Sequence, residues 1–158
     1  MNIQLIKMPQ KGLLLSFVFL LFCLSAKAQS NPGFENRPDI PHCMLIILNE
    51  DWAEPGEISA SVVKYNLNTR RNDRLKVSLL RMPYLSNLPV IYVREFRNEA
   101  HLLEYYKDLT NEKPDFMQMN IVDLLVPLSN ANYNQVLIQK SLIGYQQFFD
   151  KYYAGKLK

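Results

Sequence analysis

The chain has 158 residues, 48% of them hydrophobic and 21% charged, with a formal net charge of +3. Cut after Ala28, 130 residues remain with 15 basic and 15 acidic side chains, because Lys7, Lys11 and Lys27 leave with the first segment. A neutral chain of that length excludes a basic nucleic-acid-binding stripe, suits one domain, and buries about two-thirds of its unfolded surface, enough to fold without a disulfide or metal staple.

The cut is expected from the first 28 residues. Lys7 and Lys11 precede the apolar run "LLLSFVFLLFCLSA", Leu13 to Ala26, and "AKA" then places small residues before Gln29. Charged start, apolar centre and small-residue exit describe a cleavable secretory signal. The apolar run has 14 residues, short of the ~20 that a spanning helix needs. Bulky Phe22 before Cys23 does not suit a lipidation site. After export Cys43 is the only cysteine left, so no internal bridge is available and the domain must stand on its core.

Residues 29–41, "QSNPGFENRPDIP", carry three prolines and no apolar period, which predicts a short mobile leader. A domain is expected over 42–153, with 154–158 as a tail. "HCMLIIL", His42 to Leu48, is a continuous apolar run and predicts a central strand buried on both faces. "EISASVVKYNLN" places Ile58, Val62 and Tyr65 at helical spacing, with Pro55 near its start, where proline is tolerated. "RRNDR", Arg70 to Arg74, is a charged turn. "LKVSLLRMP", Leu75 to Pro83, alternates as a strand. "YLSNL" is a hairpin loop into "PVIYVREF", Pro89 to Phe96.

Asn98 then suits a helix N-cap and Glu99 its first turn. Leu102, Leu103, Tyr105, Tyr106, Leu109 and Thr110 share one arc of that helix, opposite Ala100, His101, Glu104, Lys107 and Asp108. Asn111 and Pro114 mark its end. "IVDLLVPLS", Ile121 to Ser129, is a fourth strand. Ser129 can cap a short helix through "NANYNQVLI". "SLIGYQQFFDKYY" aligns Leu142, Tyr145, Phe148, Phe149, Tyr152 and Tyr153, with Gly144 a weak point of about 1 kcal/mol relative to alanine. The order strand, helix, strand, strand, helix, strand is the split β-α-β pattern, an α+β ferredoxin-like sandwich with a four-stranded antiparallel sheet and extra C-terminal helices. Right-handed crossovers put both crossover helices on one face, so the C-terminal aromatic helix or a partner must cover the other.

Catalytic signals are sparse. His42 and Cys43 are adjacent in a strand and point to opposite faces, so they cannot form a thiolate–imidazole pair. Cys43 reads as a buried small hydrophobe. His101 lies at the edge of the polar arc and reads as a solvated helix residue. Glu50, Asp51, Glu54 and Glu57 form an acidic cluster that reads as a solvated loop and a helix N-terminus, ahead of a calcium site or a carboxylate pair. No Cys/His set has zinc spacing and no glycine loop could cradle phosphate. No catalytic residue, metal or cofactor is therefore expected.

From His42 to Tyr153 the chain resembles the C-terminal domain of PorW/SprE-type tetratricopeptide-repeat proteins, envelope components of type IX secretion and gliding motility in Bacteroidota. The resemblance is carried by "HCMLIIL", "VSLLRMPYLSNLPVIYVREFRNEAHLLEYYKDL" and "LLVPLSNANYNQVLIQKSLIGYQQFFDKYY". Phe96, Asn98, Ala100, Tyr105, Tyr106, Ser129, Asn130, Tyr133, Phe148, Phe149 and Tyr153 match its pattern. More weakly, the corner at Phe96 to Ala100 resembles the peptidoglycan-binding sporulation-related repeat. Export, zero net charge after cleavage, sparse catalytic signals and a sheet face that needs cover point to a non-catalytic periplasmic interaction module with an envelope protein partner, which the first resemblance associates with type IX secretion or gliding motility. A peptidoglycan-binding module is the alternative, and a small hydrolase the third reading.

Overall fold

The computed structural model describes residues 33–49, 54–118 and 120–157. The expected signal segment, and Glu50 and Asp51 of the acidic cluster, lie outside them. Four strands form one antiparallel sheet: β1 (His42–Leu48), β2 (Lys76–Arg81), β3 (Pro89–Phe96) and β4 (Val122–Ser129), in the order β2-β3-β1-β4. Helix α1 (Pro55–Thr69) joins β1 to β2. Helices α2 (Glu99–Glu112) and α3 (Asp115–Gln118) join β3 to β4. Helices α4 (Asn130–Gln139) and α5 (Tyr145–Tyr152) follow, with 3-10 turns at Arg71–Asp73 and Ala154–Lys156. This is the expected split β-α-β, ferredoxin-like arrangement. All seven residues of β1 are buried, because it is a central strand covered on both sides.

Two prolines reveal which way the strand edges face. Pro89 stands opposite Arg81 and Pro127 opposite Met44. Proline has no N–H to exchange, so each marks a non-hydrogen-bonded pair. Both assignments agree when carried across the sheet: Val93 and Ile91 then bond Met44 and Ile46 of β1 rather than β2. It follows that Val77, Leu79 and Arg81 turn their backbone N–H and C=O groups to the outer side of β2. At the opposite edge Pro127 has no donor to offer, and its outward carbonyl accepts from the Tyr145 hydroxyl at 3.0 Å.

The pleat divides the core in two. Met44, Ile46 and Leu48 face α1 and α2, packing with Ile58, Val62, Phe96, Leu102, Tyr105 and Leu109. Cys43, Leu45 and Ile47 face the other way, against Val136 of α4 and Tyr145, Phe148 and Tyr153 of the C-terminal segment. The chain thus covers its own second face. Each buried large apolar side chain there contributes roughly 1.5–3 kcal/mol.

Local chemistry accounts for the helix starts. The Asn98 side chain accepts from the His101 N–H at 3.0 Å, and Ser129 Oγ accepts from the Asn132 N–H at 3.1 Å. Gly144 departs from expectation. It lies outside α5 as the N-cap residue at φ +84°, a left-handed conformation that favours glycine. It therefore starts this helix and does not weaken its interior.

Residues 33–41 also depart from a mobile leader. Phe34 packs edge-on against Tyr145 at 5.6 Å and beside Phe148 at 5.9 Å. The Asn132 amide pairs with the backbone of Glu35 in both directions, each bond 2.9 Å. The N–H groups of Glu99 and Asn130 donate to the carbonyls of Pro38 and Pro41. One aromatic anchor and one side-chain amide, 97 residues away in sequence, offset the entropy that the prolines alone suggest would prevail. The expected tail is docked as well, since Leu157 packs against the second core.

Glu95 forms a β-bulge. His42 pairs with Phe96 but Cys43 pairs with Arg94, leaving Glu95 as an extra residue at φ +80°. Strict alternation would turn Phe96 to the α4/α5 face together with Val90 and Tyr92. The bulge turns it to the α1/α2 face, where it is fully buried.

Candidate functional site

The residues singled out for possible chemistry are placed in separate environments. His42 is buried at the start of β1, with Nδ1 2.7 Å from the Ile40 carbonyl oxygen. Burial pushes its pKa below the ordinary histidine value, and the Ile40 carbonyl and the Glu99 carboxylate partly oppose that shift. Cys43 is sealed in the second core, and burial pushes its thiol up to about 12. Such a thiol is protonated at neutral pH and is a poor nucleophile. Pleat alternation puts His42 and Cys43 on opposite faces, as their adjacency in sequence implied.

His101 is buried, which corrects the solvated reading. Its Nδ1 accepts from the Arg97 N–H at 3.2 Å, and its Nε2 lies 2.9 Å from Asp73 Oδ2. Its ring packs edge-on against Phe96 at 5.4 Å. Helical periodicity could not anticipate this, because Asp73 arrives from the turn after α1. The same turn carries Arg70, whose guanidinium reaches Asp73 at 3.7 Å, Glu104 at 3.3 Å and also Asp108. This network ties the end of α1 to α2 and leaves Arg70 fully engaged.

Glu99 opens α2 and is also buried. Lys156 Nζ donates to its Oε1. Lys156 comes from the segment expected as a tail, so sequence reasoning missed this pair; the signal was the pair of lysines, Lys156 and Lys158, beyond the aromatic stripe. Glu54 and Glu57 sit at the start of α1, where Glu57 occupies the first turn and favours the helix dipole. Among the described residues no group of three or more His, Cys, Asp or Glu side chains could hold a metal ion.

The surface that stands out is an edge. Strand β2 is exposed or half-buried along its length, and Leu79 is 42% exposed. Beside it, α1 and β2 frame a groove of about 150 Å³ whose apolar lining is Val63, Leu67, Leu75 and Val77. Arg71 and Arg74 line it as well, where the end of α1 meets the start of β2. The pieces were partly legible in sequence: Leu75 to Pro83 alternates as a strand and "RRNDR" is a charged turn. Their juxtaposition with the exposed side of α1 was not. No family model, no curated protein and no solved structure matches the chain.

Proposed function

We propose that the chain is a non-catalytic interaction module of the cell envelope, exported with cleavage after Ala28 and working beside the secretion and gliding machinery whose domain its sequence resembles. The observation that carries this reading is the asymmetry of the sheet. The second face is covered by α4, α5 and Phe34, and the buried end of the β4 edge is closed where Tyr145 bonds the Pro127 carbonyl, whereas β2, exposed or half-buried throughout, presents the outward backbone groups of Val77, Leu79 and Arg81. An exposed edge of that kind recruits an extended segment by strand addition, in which main-chain bonds give affinity and alternate side chains give selectivity.

A photo-crosslinking amino acid at Leu79, introduced in cells, tests the reading. A discrete adduct with one envelope protein is expected from Leu79, and none from Ile138 on α4, which is 75% exposed. Saturable co-sedimentation of the chain with isolated sacculi, without a protein adduct, would replace this reading with the glycan-binding one. Intact mass of the chain from the envelope fraction tests the export step, and a protein still beginning at Met1 would overturn it.

A further inference from the structure

We infer that the groove between α1 and β2 takes the carboxyl-terminal end of an extended partner segment, apolar and then acidic, added antiparallel to β2 with its carboxylate at Arg71 and Arg74. The inference rests on the reading of β2 as the recognition edge and names the chemistry of what it recognises.

Three features of the edge converge on this occupant. The first is register. Val77, Leu79 and Arg81 offer N–H and C=O groups at every second residue, the repeat that an incoming strand needs. Their side chains stand on the α1/α2 side, as the pairing of Val77 with Val93 and Leu79 with Ile91 requires. An incoming side chain on that side lies beside the groove, where Val63 and Leu67 are 39% and 61% exposed.

The second is polarity. Every strand pair in the sheet is antiparallel. A fifth strand that continues the pattern runs from the Arg81 end toward the Lys76 end. Its carboxyl terminus therefore arrives where α1 gives way to β2, next to Arg71 and Arg74.

The third is charge. Arg70 is held by Asp73, Glu104 and Asp108, and Lys76 lies 3.3 Å from Glu95. Arg71 and Arg74 are exposed and pair with no carboxylate among the described residues. Guanidinium groups present paired donors suited to a carboxylate. A second copy fits less well, since antiparallel pairing of two β2 strands would bring Lys76 and Arg81 of each copy toward those of the other.

The test is fluorescence anisotropy of the processed chain with a labelled hexapeptide of alternating Val and Thr that ends in Leu-Asp with a free carboxylate. Saturable binding is expected, with amide chemical-shift changes at Val77, Leu79 and Arg81. A peptide ending in Leu-Asn amide, and the Arg71→Glu/Arg74→Glu variant, should each weaken binding by about tenfold or more. A peptide ending in Leu-Lys amide should recover affinity for that variant. Circular dichroism confirms that the variant is folded. Equal binding of acidic and neutral peptides, indifference to the double substitution, or self-association through β2 in sedimentation would overturn the inference. If the Leu79 adduct forms in cells while the acidic peptide fails to bind, the carboxylate inference falls and the recognition edge stands. Loss of both removes both.

Discussion

Among the described residues Glu95 has the most positive φ of any non-glycine residue, and replacing it tests the account of the sheet. At φ +80° it occupies the left-handed region, which costs an L-residue roughly 1–2 kcal/mol. Glu95→Gly removes that cost but adds about 0.5–1 kcal/mol of extra chain entropy to lose on folding. It also removes the ion pair with Lys76, whose partners are 62% and 48% exposed. A pair so exposed contributes a few tenths of a kcal/mol at most. The balance is a stabilisation of about 0.5 kcal/mol, or ~2 °C in Tm for a chain of this size. Glu95→Val should move the other way by about 1 kcal/mol, since a β-branched side chain tolerates this region least. Urea and thermal melts followed by circular dichroism measure both, with Lys76→Ala as the control for the lost ion pair. A glycine variant with a lower midpoint than the parent, or a valine variant with an unchanged one, would show that the bulge is not strained at Glu95.

The strand-to-helix corner gives two further expectations. Asn98→Ala should lower stability by ~1 kcal/mol through the lost bond to the His101 N–H, and Phe96→Ala by ~3–5 kcal/mol because the ring is fully buried; unchanged denaturation midpoints with lost crosslinking would make this corner a site. His42 has a folded pKa below its unfolded value of 6.5, so the neutral ring is the one that folding favours. Its contribution is present above pH 6.5 and is lost as pH falls toward the folded value. Melting temperature should therefore drop on the acid side of that window, and His42→Gln should flatten the drop. Cys43, raised from 9.0 to about 12, should resist iodoacetamide at neutral pH in the folded chain and react once urea unfolds it, as read by mass. By the same sign argument, burial of this thiol contributes stability below pH 9 that is lost as pH rises toward 12.

Much of the fold could be read locally. The apolar run of β1 states that it is central, because only a strand with neighbours on both sides and cover on both faces has no need of polar alternation. Asn98 and Ser129 state where helices begin, because their side chains bond backbone groups three residues ahead. Order and type of the principal elements then restrict the sheet to the split β-α-β arrangement. Other features depend on groups far apart in sequence. His101 looks solvated on its own helix and is buried because Asp73 and Phe96 close over it. Residues 33–41 look like a leader until Asn132 and the aromatic rings of α5 bind them. Glu99 looks like a surface carboxylate until Lys156 reaches it. The open edge belongs to this second class. Each residue of β2 is an unremarkable strand residue in sequence. Only the pairing of Pro89 with Arg81 and of Pro127 with Met44 decides which backbone groups turn outward, and only the packing of α1 sets Val63 and Leu67 beside Arg71 and Arg74. A contact between distant segments depends on the whole packed chain, which is why tertiary structure alone decides it.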